Sequence, residues 1–254
     1  MDFQKMTIPE LKAYLDKKGD LSPEEEELIK GDRRRGAADL LKKYNRKKEN
    51  REREERRLRR MLAEEELLSK KGFKAVAGVD EAGRGPLAGP VIAAAVILKP
   101  GVMINDLKDS KQLSTRTREK IFEQVVLNAL CYGIGSASRE EIDHLNIHAA
   151  SMLAMRRALE RLNVKPDYVL VDGFPIRECP FKQKAIKGGD ALSMSIAAAS
   201  VLAKVSRDQM MLDLHQKHPR YGFDRNMGYG TAEHREAISR YGPCPEHRRS
   251  FSLV

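Results

Sequence analysis

The chain has 254 residues, of which 41% are hydrophobic, and its 47 lysines and arginines against 37 aspartates and glutamates give a formal net charge of +10. This length can bury one main core and carry a modest additional segment. The charge favours a partner with a phosphate backbone, whereas the longest apolar run, Val91 to Leu98, is far too short to span a membrane. We therefore expect a cytoplasmic, monomeric protein with no membrane partner.

Residues 1–72 differ in composition from the rest, because nearly every position is charged or a good helix former. Thr7 to Glu10 and Ser22 to Glu25 each combine a hydroxyl N-cap, an early proline and a glutamate three residues on, which predicts two short helices. A longer helix is expected from about Arg35 to Leu68. We interpret residues 1–72 as a charged helical extension and residues 73–254 as the main domain.

The middle of the long helix is strongly basic. From Lys42 to Arg60 there are eleven lysines and arginines against four glutamates, a net charge of +7, with no apolar stripe to dock on a core. Two interpretations stay open. The helix is either a solvated, salt-bridged helix or a basic arm that follows the backbone of a nucleic-acid duplex.

From residue 73 onward, predicted strands alternate with predicted helices. Apolar, β-branched runs bounded by glycine and proline indicate strands, and apolar residues at helical spacing indicate helices. The expected strands are 73–79, 89–98, 129–136, 167–171 and 183–186, and the expected helices are 114–128, 146–162, 192–218 and 231–240. This order predicts an α/β fold with a mixed sheet flanked by helices.

Acidic residues follow two of the predicted strands directly. Asp80 comes after Val-Ala-Gly-Val and Asp172 after Tyr-Val-Leu-Val, at the sheet edge where α/β proteins build their sites. Glu81 and Asp190 add two more carboxylates, although a turn or helix cap is the ordinary alternative for such residues. Unpaired buried carboxylates are costly, and a set of oxygen ligands suits Mg²⁺ or Mn²⁺. This composition is typical of a two-metal phosphodiester site.

A glycine-rich turn comes immediately after Asp80 and Glu81. Gly83 and Gly85 allow the backbone to approach another molecule closely, and Arg84 between them would present a planar cation. A tight structural turn is the alternative. The lysine–hydroxyl pair of a phosphate-binding Walker loop is absent, and the spacing does not match a dinucleotide fingerprint.

The sequence from Gly78 to Val91, Gly-Val-Asp-Glu-Ala-Gly-Arg-Gly-Pro-Leu-Ala-Gly-Pro-Val, resembles the signature of the ribonuclease HII family. The resemblance covers about residues 73 to 254, and it implies a ribonuclease H-like five-stranded mixed sheet followed by a helical C-terminal part. Further matching segments follow in order: 109–114, 145–147, 171–173, 188–190, 196–208, 228–231 and 247–251.

The resemblance also implies roles for individual residues. It places metal-binding carboxylates, for two Mg²⁺ or Mn²⁺ ions when substrate is bound, at Asp80, Glu81, Asp172 and Asp190. It places substrate contacts at Gly83, Arg84 and Gly85, which sense the 2′-hydroxyl, at Tyr229, which stacks on a sugar, and at Ser110, Lys111 and Asn146. Gln112 departs from the family pattern, in which a second lysine is common.

The implied activity is hydrolysis of the phosphodiester 5′ to a ribonucleotide, leaving a 5′-phosphate and a 3′-hydroxyl. Substrates would be RNA–DNA hybrids and duplex DNA with single embedded ribonucleotides. The implied role is removal of ribonucleotides from DNA. The alternatives are a ribonuclease HIII-like hybrid nuclease and a non-catalytic nucleic-acid-binding protein. The related ribonuclease HIII usually has lysine at the position of Arg84 and glutamate at that of Asp190, so both residues favour ribonuclease HII.

Overall fold

The computed structural model describes residues 2–105, 107 and 115–253, and the chain divides into two compact units, Met1–Arg57 and Leu58–Val254. The N-terminal unit contains α1 (Ile8–Lys17), α2 (Pro23–Lys30) and most of α3 (Arg35–Met61). Both predicted capping boxes are present: the Thr7 and Ser22 side chains accept from the backbone amides three residues on. The unit has a small core of its own, made of Phe3, Leu11, Leu15, Leu21, Ile29, Ala37, Leu41 and Tyr44.

The C-terminal unit is built around a five-stranded mixed sheet, which confirms the predicted α/β architecture. The strand order is β3-β2-β1-β4-β5, with β1–β2 and β2–β3 antiparallel and β1–β4 and β4–β5 parallel. The strands are β1 (Val76–Ala82), β2 (Val91–Leu98), β3 (Ala129–Ala137), β4 (Tyr168–Asp172) and β5 (Gln183–Ile186). The helices are α4 (Ala63–Lys70), α5 (Thr115–Asn128), α6 (Arg139–Leu145), α7 (Ile147–Glu160), α8 (Met194–Lys217), α9 (Phe223–Asn226) and α10 (Ala232–Tyr241).

Helices cover both faces of this sheet. Because side chains alternate along a strand, Ala93 and Ala95 of β2 face the cluster that contains α7, whereas Ala94 and Val96 face the cluster that contains α5 and α8. The centre of this mixed sheet is therefore buried on both sides. Among the helices that the structure describes, none is long and apolar enough to cross a membrane.

The expected helix from Arg35 to Leu68 is in fact two helices, α3 and α4. The amide of Leu62 is shared between the carbonyls of Leu58 (3.1 Å) and Arg59 (3.2 Å), which tightens the last turn of α3. Leu58, Met61 and Leu62 are buried in the cluster that contains α8. The end of α3 therefore belongs to the core of the C-terminal unit.

Helix α4 is fixed to the start of α8 by one carboxylate. Glu65 Oε1 accepts hydrogen bonds from Ser193 Oγ (2.6 Å), Ser195 N (2.9 Å) and Ser195 Oγ (2.7 Å). An acid at a helix N-terminus satisfies free amides and interacts favourably with the helix dipole.

Two further differences from the predicted elements occur near the candidate site. Strand β1 begins at Val76 and continues to Ala82, because Asp80 and Glu81 pair with Ala94 and Ala93 of β2. Helix α6 was not predicted, although its N-cap Ser138 makes a complete capping box.

Candidate active site

Three of the four predicted carboxylates lie at one edge of the sheet. Strands β1 and β4 are neighbours and run parallel, with Val79 opposite Val171. Asp80 and Asp172 follow directly on these two residues, so both leave neighbouring strands at the same level. Glu81 is the next residue on β1. The electrostatic effect of Asp172 reaches both Asp80 and Glu81.

The carboxyl groups on β1 are buried, and burial disfavours their charged forms. Burial raises the pKa of Asp80 well above its ordinary value, and the negative charges of Glu81 and Asp172 raise it further, against a hydrogen bond from Ser200. Burial also raises the pKa of Glu81, against the lowering effect of Arg84. The charged forms of these groups therefore need a compensating cation beyond Arg84.

The residue before Asp190, Gly189, holds it near Asp172. The amide of Gly189 donates to Asp172 Oδ1 at 2.7 Å, and Gly189 and Asp190 belong to one short 3₁₀ turn between β5 and α8. Both aspartates are half-buried. The structure therefore brings the turn that carries Asp190 against the carboxylate of Asp172.

The donor set fits a hard divalent cation. The donors are carboxylate oxygens, and Glu81 Oε2 is buried without a hydrogen-bond partner among the described residues. Glu81 Oε1 instead accepts from Arg84 Nη1 at 3.0 Å. In the part of the chain that the structure describes, no three His, Cys, Asp or Glu side chains are yet arranged as a ligand set.

The glycine loop, which we define as residues 83–90, leaves β1 beside these carboxylates. Gly83 has a φ of +95°, and a Cβ there would lie 2.1 Å from Arg207 Nε and 2.9 Å from the carbonyl of Pro90. Only glycine combines this backbone conformation with such close packing. Arg84 and Gly85, by contrast, are exposed.

Tyr229 faces the exposed part of the glycine loop. Its side chain is among the exposed large hydrophobic groups, at 45%, and a Cβ on Gly85 would lie 3.7 Å from Tyr229 Cε1. The tyrosine loop, residues 226–230, is tied to the glycine loop by the hydrogen bond from Leu87 N to Gly228 O at 2.7 Å. An exposed aromatic ring and an exposed glycine backbone thus lie side by side.

The remaining predicted contacts have other surroundings or cannot be placed. Asn146 has a φ of +69° and caps α7, where Oδ1 accepts from the amides of His148 (3.0 Å) and Ala149 (3.1 Å). Ser110 and Lys111 lie outside the described residues.

Sequence reasoning missed four buried residues that surround the loops. Arg207 and Arg248 lie beneath the glycine loop, and His234 and His247 form a pair in which the two Nε2 atoms are 3.0 Å apart. The histidines have no metal-ligand spacing in the sequence. The family matches at residues 196–208 and 247–251 were the available signals, because they include Arg207, His247 and Arg248 without indicating their partners.

Comparison with known proteins identifies the family. The family model described as Ribonuclease HII matches residues 77–254, and the model of the Ribonuclease HII N-terminal domain matches residues 7–69. The chain belongs to the ribonuclease HII family. It is therefore an endoribonuclease, and the alternative of a non-catalytic nucleic-acid-binding protein is excluded. Ribonuclease HII of Syntrophotalea carbinolica is 55% identical over 187 residues, which cover 74% of this chain and 90% of that protein.

Solved structures agree with the ribonuclease H-like fold. Ribonuclease H2 from Pyrococcus horikoshii OT3 matches with a TM-score of 0.61 and 29% identity, covering 71% of this chain and 95% of that one. Bst-RNase HIII in complex with Mn²⁺ matches with a TM-score of 0.53 over 70% of this chain and 67% of that one. At 18% identity, this second likeness shows the fold alone.

Proposed function

We propose that this ribonuclease HII cleaves the phosphodiester 5′ to a ribonucleotide, both in RNA–DNA hybrids and at single ribonucleotides embedded in duplex DNA. The observation that carries the proposal is the adjacency of two features. Asp80, Glu81 and Asp172 converge at one sheet edge, and the glycine loop that follows them packs beside Tyr229. One feature suits phosphodiester hydrolysis and the other suits recognition of a sugar.

The carboxylates would hold divalent cations, Mg²⁺ or Mn²⁺, with two ions when substrate is bound. The ligands would be Asp80, Glu81, Asp172 and Asp190. The fold neighbour solved with Mn²⁺ and the all-oxygen donor set support this assignment. Bound ions would supply an activated water and compensate charge on the departing 3′-oxygen. Glu81, which now pairs with Arg84, would exchange that partner for a cation.

The glycine loop would recognise the ribose. The 2′-hydroxyl is both a hydrogen-bond donor and an acceptor, and it distinguishes RNA from DNA at a given nucleotide. Arg84 and Gly85 are exposed where this group could meet backbone donors. The ring of Tyr229 beside Gly85 offers a flat face for a sugar. Contacts from Ser110, Lys111 and Asn146 remain predictions from the family resemblance.

The deciding experiment uses a DNA duplex with one ribonucleotide at a known position. We expect a nick on its 5′ side, with a 5′-phosphate and a 3′-hydroxyl mapped at nucleotide resolution, and no product after chelation of divalent ions. An all-DNA duplex of the same sequence is the control. Cleavage confined to substrates with longer RNA tracts would instead favour a ribonuclease HIII-like specificity.

For the N-terminal unit we propose a role as a nucleic-acid-binding arm. A groove of about 810 Å³ lies in this unit, and its lining includes Lys42, Arg46 and Arg53 of α3. These cations are accessible, and none forms an ion pair with a residue that the structure describes. Their spacing of four and seven residues places them on one face of the helix. Such a row of available cations suits successive phosphates of a duplex backbone.

Action as a cytoplasmic monomer stays a prediction. Light scattering coupled to size-exclusion chromatography tests the oligomeric part, with a mass near 28.7 kDa expected.

A further inference from the structure

Two arginine side chains lie buried beneath the glycine loop. Arg207 of α8 is 1% exposed and Arg248 of the C-terminal segment is 0% exposed. Neither forms an ion pair with a carboxylate in the described part of the chain. Both guanidinium groups instead donate to backbone carbonyls, and that of Arg248 also lies over the ring of Phe251, 5.1 Å from its centroid.

Arg248 holds both ends of the glycine loop. At the start of the loop, Nη2 donates to Gly83 O at 2.6 Å and Nη1 donates to Arg84 O at 3.0 Å. At its end, Nε donates to Gly89 O at 2.9 Å and Nη2 to Pro90 O at 3.3 Å. The planar guanidinium thus fixes four carbonyl groups at once, a geometry that the single ammonium of a lysine cannot reproduce.

Arg207 connects the glycine loop with the tyrosine loop. Its Nε donates to Pro90 O at 3.2 Å and its Nη2 to Ala88 O at 3.2 Å, while its Nη1 donates to Met227 O at 2.9 Å. Met227 lies two residues before Tyr229. The glycine loop and the tyrosine loop are therefore joined by one buried side chain beneath the exposed surface.

This arrangement is a costly way to stabilise a fold. Burial lowers the pKa of Arg248 to about 9, and the positive charge of Arg207 contributes to this lowering. Apolar residues of similar size are often at least as stabilising as buried charges at such positions. The benefit of Arg248 must therefore lie in the geometry that it imposes on the loop.

That geometry follows from the planarity of the peptide group. Every peptide bond that the structure describes is trans, so each carbonyl points opposite to the N–H group of the next residue. Because Arg248 holds the carbonyls of Gly83 and Arg84 on its own side, the N–H groups of Arg84 and Gly85 point away from it. Arg84 and Gly85 are the exposed residues of the loop, and Tyr229 lies beside Gly85.

A chain of hydrogen bonds links the segment that carries Arg248 to Tyr229. The amide of Cys244 donates to His247 Nδ1 at 3.0 Å, so the proton of His247 resides on Nε2. That proton is donated to His234 Nε2 at 3.0 Å, which leaves His234 Nδ1 to donate to the carbonyl of Tyr229 at 2.8 Å. Both rings are neutral in this arrangement, and each polar atom has a complementary partner.

We propose that Arg248 is a positioning residue for sugar selectivity: it aims the N–H groups of Arg84 and Gly85 at the site where a 2′-hydroxyl would bind. This inference rests on the proposed role of the glycine loop in recognising ribose. Arg248 itself, being buried, does not touch the substrate. Its effect should appear in the preference for ribose over deoxyribose and not in duplex affinity as such.

The test measures affinity for two duplexes of identical sequence, one all-DNA and one with a single ribonucleotide. Fluorescence anisotropy in the presence of a chelator allows Kd to be measured without cleavage. The variants are Arg248→Met, which removes all the donors, and Arg248→Lys, which keeps the charge. Arg249→Met is the matched control, because Arg249 is the exposed neighbour of Arg248.

We expect the wild type and the Arg249→Met variant to prefer the ribonucleotide-containing duplex. Arg248→Met should lose about tenfold of this preference with little change in affinity for all-DNA duplex. Arg248→Lys should show a similar loss, since charge without the planar fork does not fix the peptide groups. If Arg248→Met does not fold, as judged by its melting curve, Arg248→Lys decides the question.

Two other results have separate meanings. If both Arg248 variants weaken binding to the two duplexes by the same factor, Arg248 is only a structural brace and the inference is overturned. If the wild type itself neither prefers nor cleaves the ribonucleotide-containing duplex, the proposed function fails first. The same duplexes therefore distinguish failure of the inference from failure of the function on which it rests.

Discussion

Arginine has opposite surroundings in the two units of this protein. On α3, Arg56 and Arg57 pair with Glu52 (3.7 Å) and Glu54 (2.7 Å) at helical spacing and remain accessible to solvent. In the C-terminal unit, Arg207 and Arg248 are buried against carbonyl groups. Exposed cations on one face of a helix act mainly through their summed charge. A buried guanidinium acts through the directions of its hydrogen bonds, so its replacement changes the conformation of the backbone that it binds.

The largest effect in this comparison should come from the acidic site of the C-terminal unit. Asp80→Asn should lower cleavage of a ribonucleotide-containing duplex on the order of 10³-fold or more, because the amide removes the charge that would hold a cation. The melting temperature should hold or rise, since the buried charge is removed. Asp16→Asn, at an exposed position of α1, is the control. Wild-type turnover by Asp80→Asn in Mg²⁺ would refute the carboxylate site.

The end of α3 offers a second test, because it lies where the two units meet in sequence. Leu58 is 2% exposed in the core cluster that contains α8, whereas Leu67 is 47% exposed. Leu58→Ala should lower the free energy of unfolding by about 2–5 kcal/mol. Leu67→Ala should change it by less than about 0.5 kcal/mol. Equal melting curves for the two variants would contradict the burial of Leu58.

An intermediate effect is expected for the exposed arginine of the glycine loop. Arg84→Lys keeps the charge beside Glu81 but removes the planar fork. Cleavage at a lone ribonucleotide should fall about tenfold, and cleavage of a long RNA–DNA hybrid should fall less. Parallel assays of kcat/KM on both substrates measure the ratio. Equal reductions on both substrates would make Arg84 a general phosphate-binding group, equivalent in kind to the arginines of α3.

A smaller effect should separate the two faces of α3. Lys42→Gln with Arg46→Gln removes two cations that line the groove, and Lys43→Gln with Lys47→Gln removes two cations elsewhere on the helix. The first pair should reduce the slope of log affinity against log salt by about 0.9 for each phosphate that is no longer neutralised. It should raise KM a few-fold while kcat holds. If both pairs of substitutions give the same slope, the groove-lining face of α3 is not the face that contacts the duplex.

The smallest effect concerns pH and the buried histidine pair. Burial lowers the pKa of His247 from 6.5 to about 4, and the nearby His234 contributes to this lowering. The unfolded chain therefore binds this proton at a higher pH than the folded chain. The stability contributed by neutral His247 is present above pH 6.5 and is lost as the pH falls towards 4. Asp and Glu residues elsewhere also titrate there, so the comparison needs a matched variant.

His247→Gln removes this titration, and His144→Gln at an exposed position is the control. Melting temperatures at pH about 7.5 and about 5 should differ less in His247→Gln than in the wild type. If the pH dependence is the same in all three proteins, His247 does not contribute to it.

The sequence predicted the features whose causes are local. The capping boxes at Thr7 and Ser22 involve residues three apart, and the structure has both. The bounds of β5, Gln183–Ile186, were also predicted correctly, because the turn residues Gly188 and Gly189 follow closely. The family resemblance added the five-stranded sheet.

Long-range packing accounts for what was not predicted. The split between α3 and α4 arises where Leu58 and Met61 enter a core formed by α8. The position of Arg248 depends on Gly83, 165 residues earlier in the chain. Nothing in the local pattern around Arg248 shows that its guanidinium is buried, since exposed arginines are the rule.

The same separation has a consequence for biosynthesis. Gly83 is made 165 residues before Arg248, which at about 5–20 residues per second corresponds to roughly ten to thirty seconds on the ribosome. During this interval the nascent chain already carries Asp80 and Glu81, but the loop beside them lacks its buried donor. The acidic groups thus emerge long before the residue that would make them selective, and discrimination between sugars would be acquired only late in synthesis.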